Sequence, residues 1–541
     1  MNKKKRSEYG GEREIHLNQQ NTEPLRRKLP VLNDVEKENI TKRAQTQTID
    51  LYNVKIDQRV LKLVSKKFAK DHVLIPLGIK SGNLVVAMKN PNDFSAINEL
   101  RLKTNLRIET RRANADDIEQ LIAREYPSNF EVDDLLQNVN VTSSSDERGR
   151  AQNEEEAGPI IKLVRGLIIE AVDLKASDIH FDCREKDMVV RIRIDGELRN
   201  LSVLPKNVQN SVLSRLKIIS DLDITETRVP QDGRAMMQAG NKIVDLRVSV
   251  LPTIHGEKVV IRILDRANGI RKLDDFNFNA KSLKEFRHLL NLPHGIFLVT
   301  GPTGSGKSST LYAALNELNK TNVNIITVED PVEYQLEGVN QVLVNSEVGL
   351  TFAQGLRSIL RQDPNIVMVG EIRDSETAEI AIRASMTGHL VLSTLHTNDS
   401  IGTINRLFDM GIDSFLVGSS LSGVLSQRLV RTICSNCKER VPVSTDENIF
   451  LKRNGKSATV LYKGRGCAKC NYTGFQGRMA VQELLTISSD IRLAITKGAT
   501  SDELAKIARK EGMNFLLEDG LDKVIEGYTT IEEILRVVAE E

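Results

Sequence analysis

The chain has no tryptophan in 541 residues, and its aromatic content is only 4%. Its charges nearly cancel: 75 Lys plus Arg against 73 Asp plus Glu leave a formal charge of +2. Both features argue against a nucleic-acid binder, which needs a basic field and aromatic residues interleaved with the basic ones. No apolar run approaches the roughly 18–20 residues that cross a bilayer. The basic start Met1-Asn-Lys-Lys-Lys-Arg6 has no apolar stretch behind it, so it does not read as a secretory signal. The expectation is a cytoplasmic chain that meets a membrane only through a partner or a surface helix. Cysteine is scarce, five residues in all, yet four of them fall in two C-x-x-C pairs. In a reducing compartment that arrangement points to a metal rather than to disulfides. Hydrophobic residues make up 40%, enough for cores, and the length suggests three or four domains.

Taken in order, residues 1–48 are polar and mixed in charge, and read as a disordered or adaptable arm. A small adaptor domain is expected over 49–135. Val60 to Phe68 has helical spacing, Val73–Leu77 and Leu84–Met88 read as paired strands, and Asp116 to Tyr126 as a closing helix. The stretch 136–158, with its serine run and little apolar content, reads as a linker. A second N-terminal domain, α+β, is expected over 159–275. It opens with a helix at Pro159. Its strands are predicted at Asp178–Phe181, Met188–Ile194, Val244–Val250 and Val259–Leu264, with Arg228 to Arg234 as a turn between them. Arginines alternate with apolar residues along these strands, which makes one face buried and the other positive. Taken singly, each arginine reads as solvated sheet-face charge.

The stretch Gly295-Ile-Phe-Leu-Val-Thr-Gly-Pro-Thr-Gly-Ser-Gly-Lys-Ser-Ser-Thr310 organises the rest. An apolar strand, Ile296 to Val299, runs into Gly301, Pro302, Thr303, Gly304, Ser305, Gly306, Lys307 and Ser308, which fit G-x-x-x-x-G-K-[ST] without mismatch and pass, with Ser309, into a helical pattern. Glycines let the backbone point its N–H groups at phosphate oxygens, and the helix start adds its dipole. Lys307 is placed for the β- and γ-phosphates and the Ser308 hydroxyl for Mg²⁺, so a nucleoside triphosphate is the expected ligand. Three further buried strands end in polar residues: Asn324–Val328 before Glu329, Asp330 and Glu333; Ile366–Val369 before Gly370-Glu371; Leu390–Ser393 before His396. Strand ends of a parallel α/β sheet converge on one crevice. Glu329, Glu333 and Glu371 are candidates for orienting water and completing the Mg²⁺ shell. The usual Walker B aspartate is absent. His396 reads equally as a γ-phosphate sensor and as a structural histidine.

Cys434-x-x-Cys437 and Cys467-x-x-Cys470 complete a tetrahedral Cys₄ set, most simply for Zn²⁺, within a module at 430–475. Basic neighbours Lys438, Arg440, Lys463 and Arg465 raise a nucleic-acid contact, but a structural site needs none. Cys183 stands alone as a core thiol. Residues 490–541 are helical by pattern.

Several motifs together resemble one family, the secretion ATPases of type II secretion and type IV pilus assembly. They are Gly301–Ser308, Ile325-Ile-Thr-Val-Glu-Asp-Pro-Val-Glu333, Leu356–Pro364, Val369-Gly-Glu-Ile-Arg-Asp374 and Thr387–Asp399, joined by Ala176–His180 and Arg193-x-Asp-Gly-x-Leu198. The resemblance covers about 480 residues and implies a RecA-like ATPase domain over 276–541, a homo-hexamer, and nucleotide bound between that domain and the preceding one. It implies that Arg247 and Arg262 reach the γ-phosphate, that Asp330 and Glu333 are Asp-box acids and Glu371 the Walker B acid, and that His389 and His396 form a His-box pair. Implied partners are a polytopic inner-membrane platform protein and, in the type II branch, a membrane-anchored recruiter of the first domain; that domain shows no clear cyclic-di-GMP-binding pattern, so this ligand is not predicted. Ser309 and Asn365 depart from the family's commoner Thr and Asp. The expected function is an ATP-hydrolysing motor for pilus or pseudopilus assembly. A nucleic-acid-translocating ring ATPase and a non-hydrolysing nucleotide-binding scaffold are the alternatives.

Overall fold

A computed structural model of the chain describes residues 49–126 and 158–538, apart from positions 50, 52–55, 57, 62, 81, 240–241 and 266–270. The expected arm, and the expected linker up to Gly158, lie outside the described residues. The chain divides into two compact units, one ending at Ile118 and the other beginning at Glu119.

In the first unit, β1 (Leu74–Lys80) and β2 (Asn83–Met88) pair antiparallel as expected, and β3 (Arg107–Arg112) adds to β2 in parallel. The sequence Arg-Ile-Glu-Thr-Arg-Arg of β3 has a single apolar residue, so periodicity missed it; charged residues suit a strand with one free edge. The helix expected over Val60–Phe68 is instead broken. It stops at Leu61, and Ser65 caps a new helix, Lys66–Asp71, by accepting from the Phe68 N–H at 3.3 Å. Serine's preference for that cap overrides the continuous apolar spacing.

The second unit holds two large sheets. A six-stranded antiparallel sheet has the order β6-β5-β4-β9-β8-β7, built from β4 (Asp178–Cys183), β5 (Asp187–Ile194), β6 (Glu197–Pro205), β7 (Gln231–Ala239), β8 (Lys242–Thr253) and β9 (Gly256–Asp265). Helices Pro159–Asp173 and Gln209–Ile219 pack their apolar stripes on one face. The register lines up charge on the other face. Arg193 stands opposite Asp178, Asp178 opposite Arg262, Arg262 opposite Arg247, and Arg247 opposite Arg234. The turn expected at Arg228–Arg234 is a correction: Gln231 to Arg234 lie within β7. Gly233 is there for close approach rather than for turning, because a Cβ at this position would overlap the Ser220 carbonyl oxygen.

The other sheet has seven strands in the order β12-β11-β13-β14-β10-β15-β18. These are β10 (Gly295–Thr300), β11 (Ile325–Glu329), β12 (Asn340–Leu343), β13 (Ile366–Val369), β14 (Leu390–Leu395), β15 (Leu421–Ile433) and β18 (Phe475–Thr486). All neighbours run parallel except the β15–β18 pair. Strands β10, β11, β13 and β14 are buried along their whole length, as continuous apolar runs in a parallel sheet must be. Between β15 and β18 the chain makes an excursion holding β16 (Lys438–Pro442), β17 (Val460–Gly464) and the four paired cysteines.

The tip between β5 and β6 joins the two sheets. Asp195 Oδ2 accepts the Gly477 N–H at 2.9 Å, and Glu197 pairs with Arg431 of β15 at 2.6 Å. Arg431 also pairs with Glu533 at 2.5 Å and lies 4.4 Å over the Phe475 ring. Two glycines test this packing in opposite directions. Gly233→Ala is expected to destabilise the six-stranded sheet by about 1–3 kcal/mol through overpacking. Gly166→Ala, in an open position on the helix Pro159–Asp173, should stabilise by about 0.5–1 kcal/mol. Urea unfolding with amide exchange read on residues 231–239 and 159–173 checks both signs.

Candidate functional site

The site begins where β10 ends. Thr300 anchors the turn, its hydroxyl donating to the Leu395 carbonyl at 3.2 Å and receiving the Thr397 N–H at 3.0 Å. The chain then turns through Gly301, Gly304 and Gly306 at φ of 141°, 81° and 90°, and the helix Lys307–Leu318 starts directly after Gly306. Lys307 is 8% exposed, and its ammonium donates to the Gly301 and Pro302 carbonyls at 2.8 and 3.0 Å. Burial pushes it down to about 8; Glu371 opposes that shift and Arg428 adds to it.

A cavity of about 420 Å³ opens over this loop. Thr303, Gly304, Gly306, Lys307, Ser308 and Ser309 line it together with Glu329, Asp330, Glu333, Glu371, His396 and Arg262. Gly301, Pro302 and Ser305 do not: the first two face Lys307 with their carbonyls, and Ser305 is 3% exposed and turned toward β15. Arg247 lies in an adjoining cavity of about 610 Å³ that shares Arg262, Asp330 and Pro331 with the first. Its guanidinium is 3.2 Å from Glu333 Oε2 and donates to the Val332 carbonyl at 3.2 Å. Arg262 faces Asp178 at 3.4 Å.

The three glutamates sit in different surroundings. Glu329 is 4% exposed and has both oxygens occupied. Thr327 and Gln341 donate to Oε1 at 2.6 and 3.0 Å, and the Tyr312 hydroxyl donates to Oε2. Tyr312 also receives the Glu333 N–H at 3.1 Å, and burial, with Glu329 second, raises its hydroxyl above the ordinary tyrosine range. Glu333 faces Arg247 across the boundary between the cavities. Glu371 pairs with Arg373 and has Oε2 3.4 Å from His396 Nε2, inside the first cavity. An acid buried with donors on both oxygens is a strut; one held at an edge beside a histidine in the cavity can take a proton.

The expected histidine pair does not come together. His396 follows the C-terminal end of β14, whereas His389 precedes its start, a six-residue strand or about 20 Å away, and bonds the Ala384 carbonyl at 3.0 Å. The strand's direction separates what the motif lists side by side. Tyr312 and Arg478 also line the cavity, and the sequence gives no sign of it. Tyr312 lies in an ordinary apolar helical stripe, and Arg478, the single basic residue of β18, is one of 75 in the chain. Neither carries a local signal.

Cys434, Cys437, Cys467 and Cys470 bring their sulfurs within 4.8 Å of one another, with contacts of 3.7–3.8 Å. Four sulfurs about 2.3 Å from a central Zn²⁺ would stand about 3.8 Å apart, so the set fits a tetrahedral ion. The separations rule out disulfides, whose sulfurs lie about 2 Å apart. The Gly466 and Cys467 N–H groups donate to the Cys437 and Cys470 sulfurs at 3.3 and 3.1 Å. Nearby cations have partners of their own: Lys438 and Arg440 stack on Tyr462, and Lys463 pairs with Glu447 and Glu532. Cys183 is half-buried, donates to the Glu257 carbonyl at 3.0 Å, and has its thiol pushed up by burial to about 11.

Against known proteins, the family described as "Type II/IV secretion system protein" matches residues 153–536, and an MshEN domain matches residues 44–131. The chain is 41% identical over 510 residues to the type IV pilus assembly ATPase PilB of Myxococcus xanthus, covering 92% of this chain and 89% of that one. It is 46% identical over 428 residues to the type II secretion system ATPase E of Vibrio cholerae, covering 79% and 81%. Among solved structures, the Legionella pneumophila ATPase DotB shares the fold, with a TM-score of 0.52 at 21% identity, over 69% of this chain and 95% of that one. With a family match over more than two-thirds of its length and relatives this close, the chain belongs to the type II/IV secretion system protein family.

Proposed function

We propose that this chain is the ATP-hydrolysing motor that drives assembly of pilus or pseudopilus subunits in a type IV pilus or type II secretion system. One observation carries the reading: a phosphate loop with a buried lysine, an acid–histidine pair and an arginine from the preceding domain all face one cavity. The loop residues that line the cavity, Thr303, Gly304, Gly306, Lys307 and Ser308, hold the triphosphate through their backbone N–H groups and the Lys307 ammonium. The Ser308 hydroxyl, which lines the cavity, would hold Mg²⁺, and the ion would supply charge neutralisation on the phosphates. Glu371 accepts the proton of the attacking water, and His396 at 3.4 Å orients its carboxylate. Glu329 acts as the strut that fixes Tyr312 and the Glu333 backbone. Arg262 and Arg247 stabilise charge on the transferred group once they exchange Asp178 and Glu333 for phosphate.

The four cysteines hold a structural Zn²⁺. The working assembly is a homo-hexamer in the cytoplasm, attached to the membrane through a polytopic platform protein and a membrane-anchored recruiter of the first domain. Family membership supports each of these, and no described helix is long and apolar enough to cross a membrane.

Glu371→Gln should bind ATP within a few-fold of the parent and lose about 10²–10⁴ in turnover, read by phosphate release beside nucleotide titration. Unchanged turnover would remove Glu371 from the reaction; a parent protein with no turnover at all would favour a nucleotide-binding scaffold. Elemental analysis after chelator-free purification should give one zinc per chain, and Cys437→Ser should lose it. A metal-free parent protein would overturn the Cys₄ site.

A further inference from the structure

One side chain without a part in the hydrolysis touches the phosphate loop from behind. Gln427 is fully buried on β15. Strand β15 runs parallel to β10 with Thr300 opposite Ser426, so the next residue, Gln427, lies alongside the loop itself. Its Nε2 donates to the Ser305 carbonyl at 2.8 Å, and its Oε1 accepts from the Thr310 hydroxyl at 2.8 Å. The orientation of the amide follows from the partners. Ser305 O can only accept, so the nitrogen must face it.

The loop is shaped to this side chain. A Cβ on Gly306 would lie 2.7 Å from Gln427 Nε2, and one on Gly301 would overlap the Gln427 backbone carbonyl. Both glycines therefore serve close approach to one residue as well as their positive φ. In a trans peptide the C=O and the following N–H point in opposite directions. Holding the Ser305 carbonyl toward β15 aims the Gly306 N–H the other way, toward the cavity that Gly306 lines. The Thr310 hydroxyl, one turn into the helix, locks the other end of the amide and so ties the helix start to the same strand.

We propose that Gln427 is a positioning residue for the polyphosphate: its amide sets the Ser305–Gly306 peptide in the anion-facing orientation. It never touches the nucleotide. This rests on the nucleotide-binding reading of the loop, but not on the identity of the general base. Because the loop grips phosphates present in both substrate and product, the effect is uniform binding, which moves KM and product affinity and leaves the chemical step alone.

Gln427→Glu keeps the acceptor for Thr310 and the volume, but sets a carboxylate against the Ser305 carbonyl. Gln427→Met keeps the volume and removes both bonds. Full-length protein should show ADP and ATP dissociation constants raised about tenfold or more in Gln427→Glu, with KM raised in parallel and kcat within about twofold. Gln427→Met should fall between it and the parent. Thermal unfolding measured alongside keeps the reading falsifiable, because a merely structural residue lowers the melting temperature and leaves the affinities of the folded protein unchanged. That result overturns the proposal, as does a loss of kcat at unchanged KM. If the parent turns nothing over but binds ADP, the ADP constants alone decide this proposal, and only the motor reading fails.

Discussion

A buried ammonium faced mainly by neutral carbonyls is the constraint around which the motor sheet is arranged. Lys307 sits at the start of a helix, 8% exposed, against the Gly301 and Pro302 oxygens, and burial brings it down to about 8. Such a cation is poorly solvated by its own site. In a region of low effective dielectric, an anion placed beside it gains far more than it would in water. The glycine dihedrals, the continuous burial of β10 and the strand ends that deliver Glu371 and His396 all bring the complement of that charge to one place. The site is a demand for phosphate before it is a catalyst.

The acids around it are distinguished by what occupies their lone pairs rather than by their distance from the loop. Glu329 is closed by Thr327, Gln341 and Tyr312, and Glu333 leans on Arg247. Glu371 alone combines a held edge with a face toward the cavity and a histidine neighbour. All three read alike in the sequence, as glutamates after an apolar run. The partners that separate them come from a different helix and a different strand, which no local pattern reports.

That contrast accounts for what could be read from residues alone. Strands buried on both faces announce themselves as apolar runs, so β10, β11, β13 and β14 were legible, and the phosphate loop was legible because its glycines serve a local conformation. β3 and the Gln231–Arg234 part of β7 were not, since a strand at an edge or against a backbone can be polar or glycine-bearing. β15 is buried yet carries Ser, Gln and Arg, because its polar residues bond to the loop, to Glu197 and to Glu533. Gln427 left no signature, and β14 sets His389 and His396, which share one motif, at its opposite ends. What escaped was whatever depended on a partner distant in sequence.

The tip between β5 and β6 reaches the phosphate loop through β15. Asp195 holds β18 at Gly477, and Glu197 holds β15 at Arg431, four residues from Gln427 on the same strand. At about 3.3 Å per strand residue, Arg431 and Gln427 stand roughly 13 Å apart along β15. The ion pair at the tip and the amide behind the phosphate loop therefore belong to one continuous strand, held in register by β10 on one side and β18 on the other. The domain that carries Arg262 reaches the loop twice, across the cavity through that arginine and from behind through β15.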